Sequence, residues 1–125
     1  INLAVLLAEI GSLDKAIEIL EEAIHFHPES AVICQNLGAF YCHAEQLEQA
    51  LFYTDRAIEL GVDSPAIFWN MANIYCIENK REQCLEFLAR AFERDRKYVV
   101  RFLNNEDFLK YRSDPEFIAL AEESD

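Results

Sequence analysis

The sequence predicts an all-α fold made of repeated helix pairs, for three reasons. Its residues recur at a spacing of 34, apolar side chains within each repeat return every three or four positions, and glycine and proline occur only three times each in 125 residues. Apolar spacing of three and four is that of an amphipathic helix, and so few glycines and prolines are untypical of an all-β chain. With 52% hydrophobic residues, the chain can bury a core, and its length is that of one domain.

The repeat is clearest when residues 31–64 are aligned with residues 65–98. NLGAFYCHAEQLEQAL then lies over NMANIYCIENKREQCL, and Asn36 lies over Asn70. We call the step from Asn36 to Asn70 the repeat period, and one further period back places Asn2 over Asn36. Three units at one spacing predict a helical repeat array, because self-similarity at a fixed period of this length is the signature of such arrays.

The helix boundaries are predicted from the residues that end and begin helices. Gly11 and Asn79 suit the left-handed conformation that often ends a helix, whereas Glu45, at the equivalent place in the middle repeat, is a weaker terminator. Ser64 followed by Pro65 predicts an N-cap and a proline in the first helical turn. Helices are predicted at about residues 1–10, 14–27, 31–43, 47–60, 65–77 and 81–95.

Small residues recur where the two helices of a repeat would cross. Gly38, Ala50 and Ala57 lie where a large side chain would hold the helices apart. Close antiparallel packing is therefore predicted at these positions, with Tyr41 and Tyr75 filling the wider gaps beside them. The equivalents in the other repeats are Ala4, Ala16, Ala23, Ala72, Cys84 and Ala91.

The repeat period, the helix–turn–helix unit, the Leu-Gly pair before Tyr41 and the two later alanines resemble the tetratricopeptide repeat family. This resemblance, which covers about residues 1–98, implies a right-handed superhelical α-solenoid of antiparallel helix pairs. The middle repeat departs from the family pattern at Cys34, in place of an aromatic residue, and at Thr54, in place of a larger apolar one. The repeats are predicted at 1–30 (truncated at its start), 31–64 and 65–98, within a single domain of residues 1–125.

Residues 99–125 do not continue the repeat in their sequence. The stretch from Ser113 to Glu116 has the character of a capping box at a helix start, and it resembles the Asp-Pro-Glu-Phe closing segment found behind bacterial repeat arrays. We therefore expect C-terminal capping helices that cover the open apolar face of the last repeat. No such cap precedes Ile1, so we expect further sequence upstream and, at the uncapped first repeat, a surface for self-association.

The charge, hydropathy and cysteine content limit the partners and the compartment that we expect for this protein. Lys and Arg number 11 against 23 Asp and Glu, and the net charge of −12 argues against nucleic acid and anionic membrane surfaces as partners. No apolar run reaches the roughly 18 residues of a membrane span. The four cysteines lack Cys-x-x-Cys spacing, which favours free thiols in a reducing, cytoplasmic compartment.

Charge is unevenly distributed along the chain. Residues 65–98 carry six basic and five acidic side chains, so the third repeat has a net charge of +1 in an otherwise acidic protein. Two interpretations are open for this stretch: solvated faces with charges that suit the helix ends, or a local contact with an anion or partner. The basic residues near its end are Arg90, Arg94, Arg96 and Lys97.

The family resemblance implies that the first helix of each repeat lines a concave groove. A ladder of asparagine amides there offers donors and acceptors to an extended peptide, and resembles the arrangement in the repeat region of O-linked N-acetylglucosamine transferase. The alternative is that this asparagine serves packing between repeats. Trp69 is either a binding anchor or a residue that packs against the next helix. The candidate peptide-binding residues are Asn2, Gln35, Asn36, Ala39, His43, Trp69, Asn70 and Asn73.

The groove is not expected to bind the acidic C-terminal tails of heat-shock proteins. Family members that grip those tails use lysine, arginine and asparagine side chains, and only Asn36 fits at the corresponding positions of this chain. A carboxylate in the groove would therefore meet no lysine or arginine. The corresponding positions are Ile1, Val5, Asn36, Ala66 and Asn70.

No enzyme activity, metal or cofactor is predicted. Cys42, His43 and Cys76 lie close in register, but no fourth zinc ligand is evident. A glycine-rich phosphate loop, a nucleophile elbow and a His-Glu-x-x-His motif are all missing from the sequence.

Two functions remain after these exclusions. The first is a non-catalytic scaffold that binds a peptide or helix of a partner protein in the concave groove. The alternative is a structural C-terminal part of a longer array, which mediates self-association or regulates an attached catalytic domain. The fold alone does not name the partner, because it hosts many unrelated roles.

Overall fold

The computed structural model describes residues 11–100 and 106–122, the side chains of residues 106 and 107 excepted. Every regular element within these ranges is helical. The helix predicted over residues 1–10 lies outside the described residues. The elements are α1 (Leu13–Phe26), α2 (Ala31–His43), α3 (Leu47–Glu59), α4 (Pro65–Ile77), α5 (Arg81–Arg94), α6 (Arg96–Val100), a 3-10 helix (Glu106–Tyr111) and α7 (Pro115–Glu122).

The predicted helix boundaries are confirmed within the described part of the chain. The predicted bounds of α2 and α4 agree with the structure at both ends, and those of α1, α3 and α5 differ by no more than one residue. The chain forms two compact units, Ile1–Val62 and Asp63–Asp125.

The turns that follow α2 and α4 each contain a residue in the left-handed region, and so does the equivalent position before α1. Gly11 has φ of 91°, Glu45 has φ of 61° and Asn79 has φ of 62°, so the same position of each repeat is left-handed. After α2 the backbone N–H of Gln46 donates to the carbonyl of Tyr41, and after α4 that of Lys80 donates likewise to Tyr75. This bond satisfies a carbonyl at the helix end as in a Schellman motif, so Glu45 ends its helix despite its side chain.

Serine caps begin the first helix of the second and third repeats. The Oγ of Ser30 accepts a hydrogen bond from the backbone N–H of Ile33 at 3.3 Å. The Oγ of Ser64 accepts the equivalent bond from Ile67 at 3.3 Å, and Pro65 occupies the first turn as predicted. Each serine thereby satisfies a backbone donor that the helix leaves without a partner.

The N-terminal unit is packed around small residues at the helix crossings. A Cβ placed on Gly38 would lie 2.2 Å from Thr54 Oγ1 and 3.0 Å from the Thr54 backbone nitrogen. The backbone of α2 therefore approaches α3 as closely as glycine allows, which confirms the predicted role of Gly38. The fully buried side chains of this unit include Ala16, Leu20, Leu37, Ala50, Thr54 and Ala57.

The C-terminal unit repeats this arrangement with α4 and α5. Ala72 takes the position equivalent to Gly38, and it is completely buried, as are Cys84 and Ala91. The larger side chains Met71, Ile74 and Leu88 fill the space around them and are almost wholly buried. The small residues of the repeats are thus buried in both units, and the close approach predicted at Gly38 is confirmed.

Polar contacts join the chain after α5 to α4 and α5, and also join parts of that chain to each other. Arg81, at the start of α5, donates from Nε to Asp114 Oδ2 at 2.6 Å and from Nη2 to Asp114 Oδ1 at 2.9 Å. Lys110 Nζ donates to the carbonyl of Cys76 at the end of α4 and to Asn79 Oδ1. Arg96 Nη2 donates to the carbonyl of Leu120 at 2.8 Å, near the end of α7.

The start of α7 also agrees with the sequence. The backbone N–H of Glu116 donates to Asp114 Oδ1 at 3.0 Å, so Asp114, within the predicted stretch from Ser113 to Glu116, caps the helix. Helix α7 begins one repeat period after α5, which in turn begins one period after α3. The spacing of the helix starts therefore continues into the tail, although the residue pattern of the repeats does not.

Candidate peptide-binding surface

Four of the predicted site residues share one face of α2. Gln35, Ala39 and His43 follow one another at four-residue steps, and Asn36 lies three residues before Ala39. Residues three and four apart are neighbours on a helix surface. Gln35, Asn36 and Ala39 are half-buried and His43 is exposed, so this face lies opposite the buried side chains of the helix.

The amide of Asn36 has unused hydrogen-bonding capacity within the part of the chain that is described. Neither Asn36 nor Gln35 forms a side-chain hydrogen bond with any described residue. Each amide offers one oxygen acceptor and two N–H donors. A half-buried amide without a protein partner is available to solvent or to a ligand.

Helix α4 of the C-terminal unit carries the same residue at the same register. Asn70 is the sixth residue of α4, as Asn36 is the sixth residue of α2. It is half-buried and likewise makes no side-chain hydrogen bond to described residues, while Asn73 lies three residues further along the helix. The first of the three predicted asparagines, Asn2, falls outside the described residues.

Trp69 faces the chain's own C-terminal segment. Its side chain is only 6% exposed, and its ring stacks on Phe108 with centroids 4.8 Å apart and planes 22° apart. This contact corresponds to the packing alternative that the sequence left open. The indole of Trp69 thus packs against the C-terminal segment through Phe108. Its use as a binding anchor stays a prediction.

The two candidate faces lack formal charge. Helix α2 carries no lysine, arginine, aspartate or glutamate, and it contains one histidine, His43. Helix α4 carries none of these five residue types. Amide and apolar groups therefore dominate both faces. Such a surface suits a neutral polypeptide backbone better than a string of carboxylates.

The N-terminal unit contains a carboxylate–tyrosine cluster that the sequence pattern does not predict. Glu21 accepts hydrogen bonds from Tyr41 Oη at 2.6 Å and from Tyr53 Oη at 2.7 Å. The two tyrosine rings stack with centroids 5.8 Å apart and planes 6° apart. The pattern predicts only a space-filling role for Tyr41. The one feature of the sequence that could have indicated the cluster is the position of the acidic Glu21 directly after Leu20, which is buried in α1.

The surroundings of this cluster shift the acidity of both phenols. Burial raises the pKa of Tyr41 to about 12, helped by the hydrogen bond to Glu21 and by that carboxylate's charge. Burial and the same carboxylate raise the pKa of Tyr53 as well. Both hydroxyls thus remain protonated donors over the physiological range. In the C-terminal unit the ring stack recurs between Tyr75 and Phe87, with centroids 5.7 Å apart.

No disulfide bond joins any of the four cysteines. Cys34, Cys76 and Cys84 are buried and Cys42 is half-buried. A hydrogen bond with Cys76, together with burial, raises the pKa of the Cys84 thiol. Within the described residues, no group of three or more His, Cys, Asp or Glu side chains is arranged to hold a metal ion.

A membrane span makes demands on both the length and the hydropathy of a helix. None of the described helices combines sufficient length with sufficient hydropathy to cross a bilayer.

Consecutive packed helix pairs, spaced by one repeat period and crossing at small side chains, define a helical repeat protein of the α-solenoid type. The sequence model of the tetratricopeptide repeat family matches residues 7–68. This match and the repeated helix pairs show that the chain is a tetratricopeptide repeat protein. That family generally serves as a scaffold for protein interactions and is typically non-catalytic. No match was found among curated proteins.

Proposed function

We propose that this chain is a non-catalytic interaction module that binds peptide segments of a partner protein, and that each unit contributes its own amide-bearing face, on α2 in the first unit and on α4 in the second. The observation that carries the proposal is the pair Asn36 and Asn70. They occupy the same register in two repeats, and neither amide hydrogen-bonds to a described residue. A purely structural role would lead us to expect protein partners for such half-buried amides.

The chemistry of an amide pair suits an extended peptide backbone. An extended segment presents N–H and C=O groups that no secondary structure satisfies, and each asparagine can pair with one of each kind. Recognition of this type depends on the shape and spacing of the backbone more than on side-chain identity. We therefore expect broad sequence tolerance with a preference for extended segments.

The side chains around the amides indicate the chemistry of the partner segment. Val32, one turn before Asn36, is 55% exposed, and Ala39 lies one turn after it. Neither α2 nor α4 offers a lysine or arginine to a carboxylate. The preferred segment is therefore neutral, with small or apolar side chains, and acidic tails should bind this face poorly.

The test is selection followed by comparison of matched variants. Random twelve-residue peptides displayed on phage are selected on the wild-type protein, and the affinities of the selected peptides are measured by fluorescence anisotropy. The double variant Asn36→Ala/Asn70→Ala should weaken binding by roughly tenfold, as expected for the loss of two hydrogen bonds of about 0.5–1.5 kcal/mol each.

A matched control is available on the second helices of the same repeats. Gln49 and Gln83 are exposed amides that also lie one repeat period apart, on α3 and α5. The variant Gln49→Ala/Gln83→Ala should bind selected peptides within about twofold of wild type. Equal loss in both double variants, or full affinity of a folded Asn36→Ala/Asn70→Ala protein, would reject the proposal. Circular dichroism verifies the fold of each variant.

A further inference from the structure

Helix α5 holds two guanidinium groups over a pair of aromatic rings. The Arg90 guanidinium carbon lies 5.0 Å from the ring centroid of Phe87 and 6.0 Å from that of Phe68. The Arg94 guanidinium carbon lies 5.3 Å from the Phe68 centroid. The two rings themselves stack, with centroids 6.4 Å apart and planes 25° apart. We call Arg90, Arg94, Phe68 and Phe87 the arginine–aromatic patch.

The two arginines of the patch differ in their polar contacts. Arg94 Nε donates to the carbonyl of Asp63 at 3.0 Å and lies 3.8 Å from the carboxylate of that residue. The Arg90 side chain forms no ion pair or hydrogen bond with any described residue. Glu86 lies four residues before Arg90 and Glu93 three residues after it, so candidate partners on α5 were within reach. The Arg90 side chain is instead positioned by the rings.

Comparison with the remaining arginines shows what is unusual about Arg90. Arg56 pairs with Glu59, Arg81 with Asp114, and Arg96 donates to backbone carbonyls near the end of α7. In the described residues, Arg112 is the other arginine without an ion pair or side-chain hydrogen bond, and no ring contact orients it. Among the described arginines, Arg90 alone combines a held orientation with unused donors.

We propose that the arginine–aromatic patch binds a carboxylate side chain in an acidic peptide segment of a partner protein. A guanidinium is planar and presents paired N–H donors that match the two oxygens of a carboxylate. The rings beneath it reduce the freedom that Arg90 would lose on binding, which lowers the entropic cost. Arg94, four residues later on the same helix, adds a second positive charge beside the first.

The charge distribution favours this location for an acidic segment. The protein carries a net charge of −12, which repels an acidic peptide from most of its surface. Residues 65–98 contain six basic and five acidic side chains and carry a net charge of +1. The patch thus lies in the stretch where an anionic segment meets least repulsion. It shares no residue with the amide-bearing faces of α2 and α4, so the two proposals stand or fall separately.

The experiment uses a fluorescein-labelled peptide of eight glutamates as the probe and a peptide of eight glutamines as its neutral counterpart. Anisotropy is recorded at low salt for the full chain and for the variants Arg90→Gln and Arg112→Gln. Both variants remove one positive charge, so general electrostatics affects them alike. We expect Arg90→Gln to weaken binding of the glutamate peptide by about fivefold or more, and Arg112→Gln by less than about twofold.

A second measurement keeps the proposal testable if the affinities are weak. Addition of the glutamate peptide should shift the arginine Nε–Hε resonance of Arg90 and leave that of Arg112 in place. Arg90→Lys should restore only part of the affinity, because an ammonium lacks the planar pair of donors. Equal weakening by Arg90→Gln and Arg112→Gln, equal binding of both peptides, or an unshifted Arg90 resonance would overturn the proposal.

Discussion

Gly38 lies directly against Thr54, so closely that a Cβ on Gly38 would come within 2.2 Å of Thr54 Oγ1. The contact joins α2 to α3 at the crossing of the middle repeat. Its geometry also explains two differences between the middle repeat and the third. The short Thr54 side chain stands where the third repeat has Leu88, and glycine stands where the third repeat has Ala72. The two residues form a matched pair.

Gly38→Ala should therefore destabilise the protein, by about 1–3 kcal/mol from overpacking. The sign of this change in the free energy of unfolding is informative, because alanine in a helix is otherwise about 1 kcal/mol more favourable than glycine. Urea denaturation measures the change. In the double variant Gly38→Ala/Thr54→Ala the loss should be smaller than the sum of the single losses. Additive losses would show that Thr54 Oγ1 is not the obstacle.

Thr54→Val should stabilise the protein by about 1 kcal/mol, because a buried polar atom without a partner costs free energy. Thr54 is fully buried and its hydroxyl oxygen has no hydrogen-bond partner among the described residues. Valine keeps the shape of the side chain and removes the hydroxyl. Thr54→Ala serves as the control, which should be destabilising through the cavity it leaves. A valine variant that unfolds at lower urea would contradict this account.

The tyrosine pair predicts a loss of stability in alkaline solution. The pKa of Tyr41 rises from an ordinary 10.0 to about 12 in the folded protein, so folding favours the neutral phenol. This contribution is fully present below pH 10 and is lost as the pH rises towards about 12. The comparison that isolates the two phenols is with the variant Tyr41→Phe/Tyr53→Phe. The urea midpoint of that variant should fall less steeply with pH; parallel curves would exclude the phenols as the cause.

The ion pair at the start of α7 predicts an acid-sensitive tail contact that Trp69 can report. Hydrogen bonding to Arg81 lowers the pKa of Asp114 below its ordinary 3.8, so its contribution is present above that pH and is lost as the pH falls through the folded value. Trp69 is the only tryptophan and stacks on Phe108 in the tail. Its emission should shift to longer wavelength in acid before the helices unfold.

The same shift should occur at neutral pH in Asp114→Asn. Asparagine remains a good helix cap, so this substitution removes the charge of the pair while keeping the start of α7. Glu122→Gln removes an exposed acidic charge from the same helix and should leave the emission unchanged. Identical spectra for wild type and Asp114→Asn would show that the ion pair does not hold the tail.

The local elements of this fold could be predicted from the sequence because their causes lie within a few residues. Ser30 and Ser64 each accept a hydrogen bond from the backbone N–H three residues ahead, and Glu45 shares the left-handed conformation of Gly11 and Asn79 at one position of the repeat. The small crossing residues also recur at the same period. Because a pattern of this kind repeats at a fixed period, one repeat predicts where the equivalent residues of the next repeat lie.

The features that the sequence does not predict depend on contacts between distant residues. Glu21 and Tyr53 are 32 residues apart, and the pattern of apolar residues in either helix does not indicate that they hydrogen-bond to each other. The sequence pattern groups Arg96 with a basic stretch, yet its guanidinium supplies donors to the carbonyl end of α7. The absence of formal charge from the candidate faces can be predicted from the sequences of α2 and α4. The lack of a hydrogen-bond partner for Asn36 among the described residues is visible only in the structure.

The constant spacing of the helix starts at Leu13, Leu47, Arg81 and Pro115 has a consequence for engineering. Duplicating a segment of one repeat period advances the chain by one whole module, and every apolar stripe beyond it returns to its original orientation. Adding a single residue inside a helix turns everything further along that helix by about 100° and carries its buried side chains towards water. The protein should thus accept lengthening in whole modules while resisting insertions a fraction of that size.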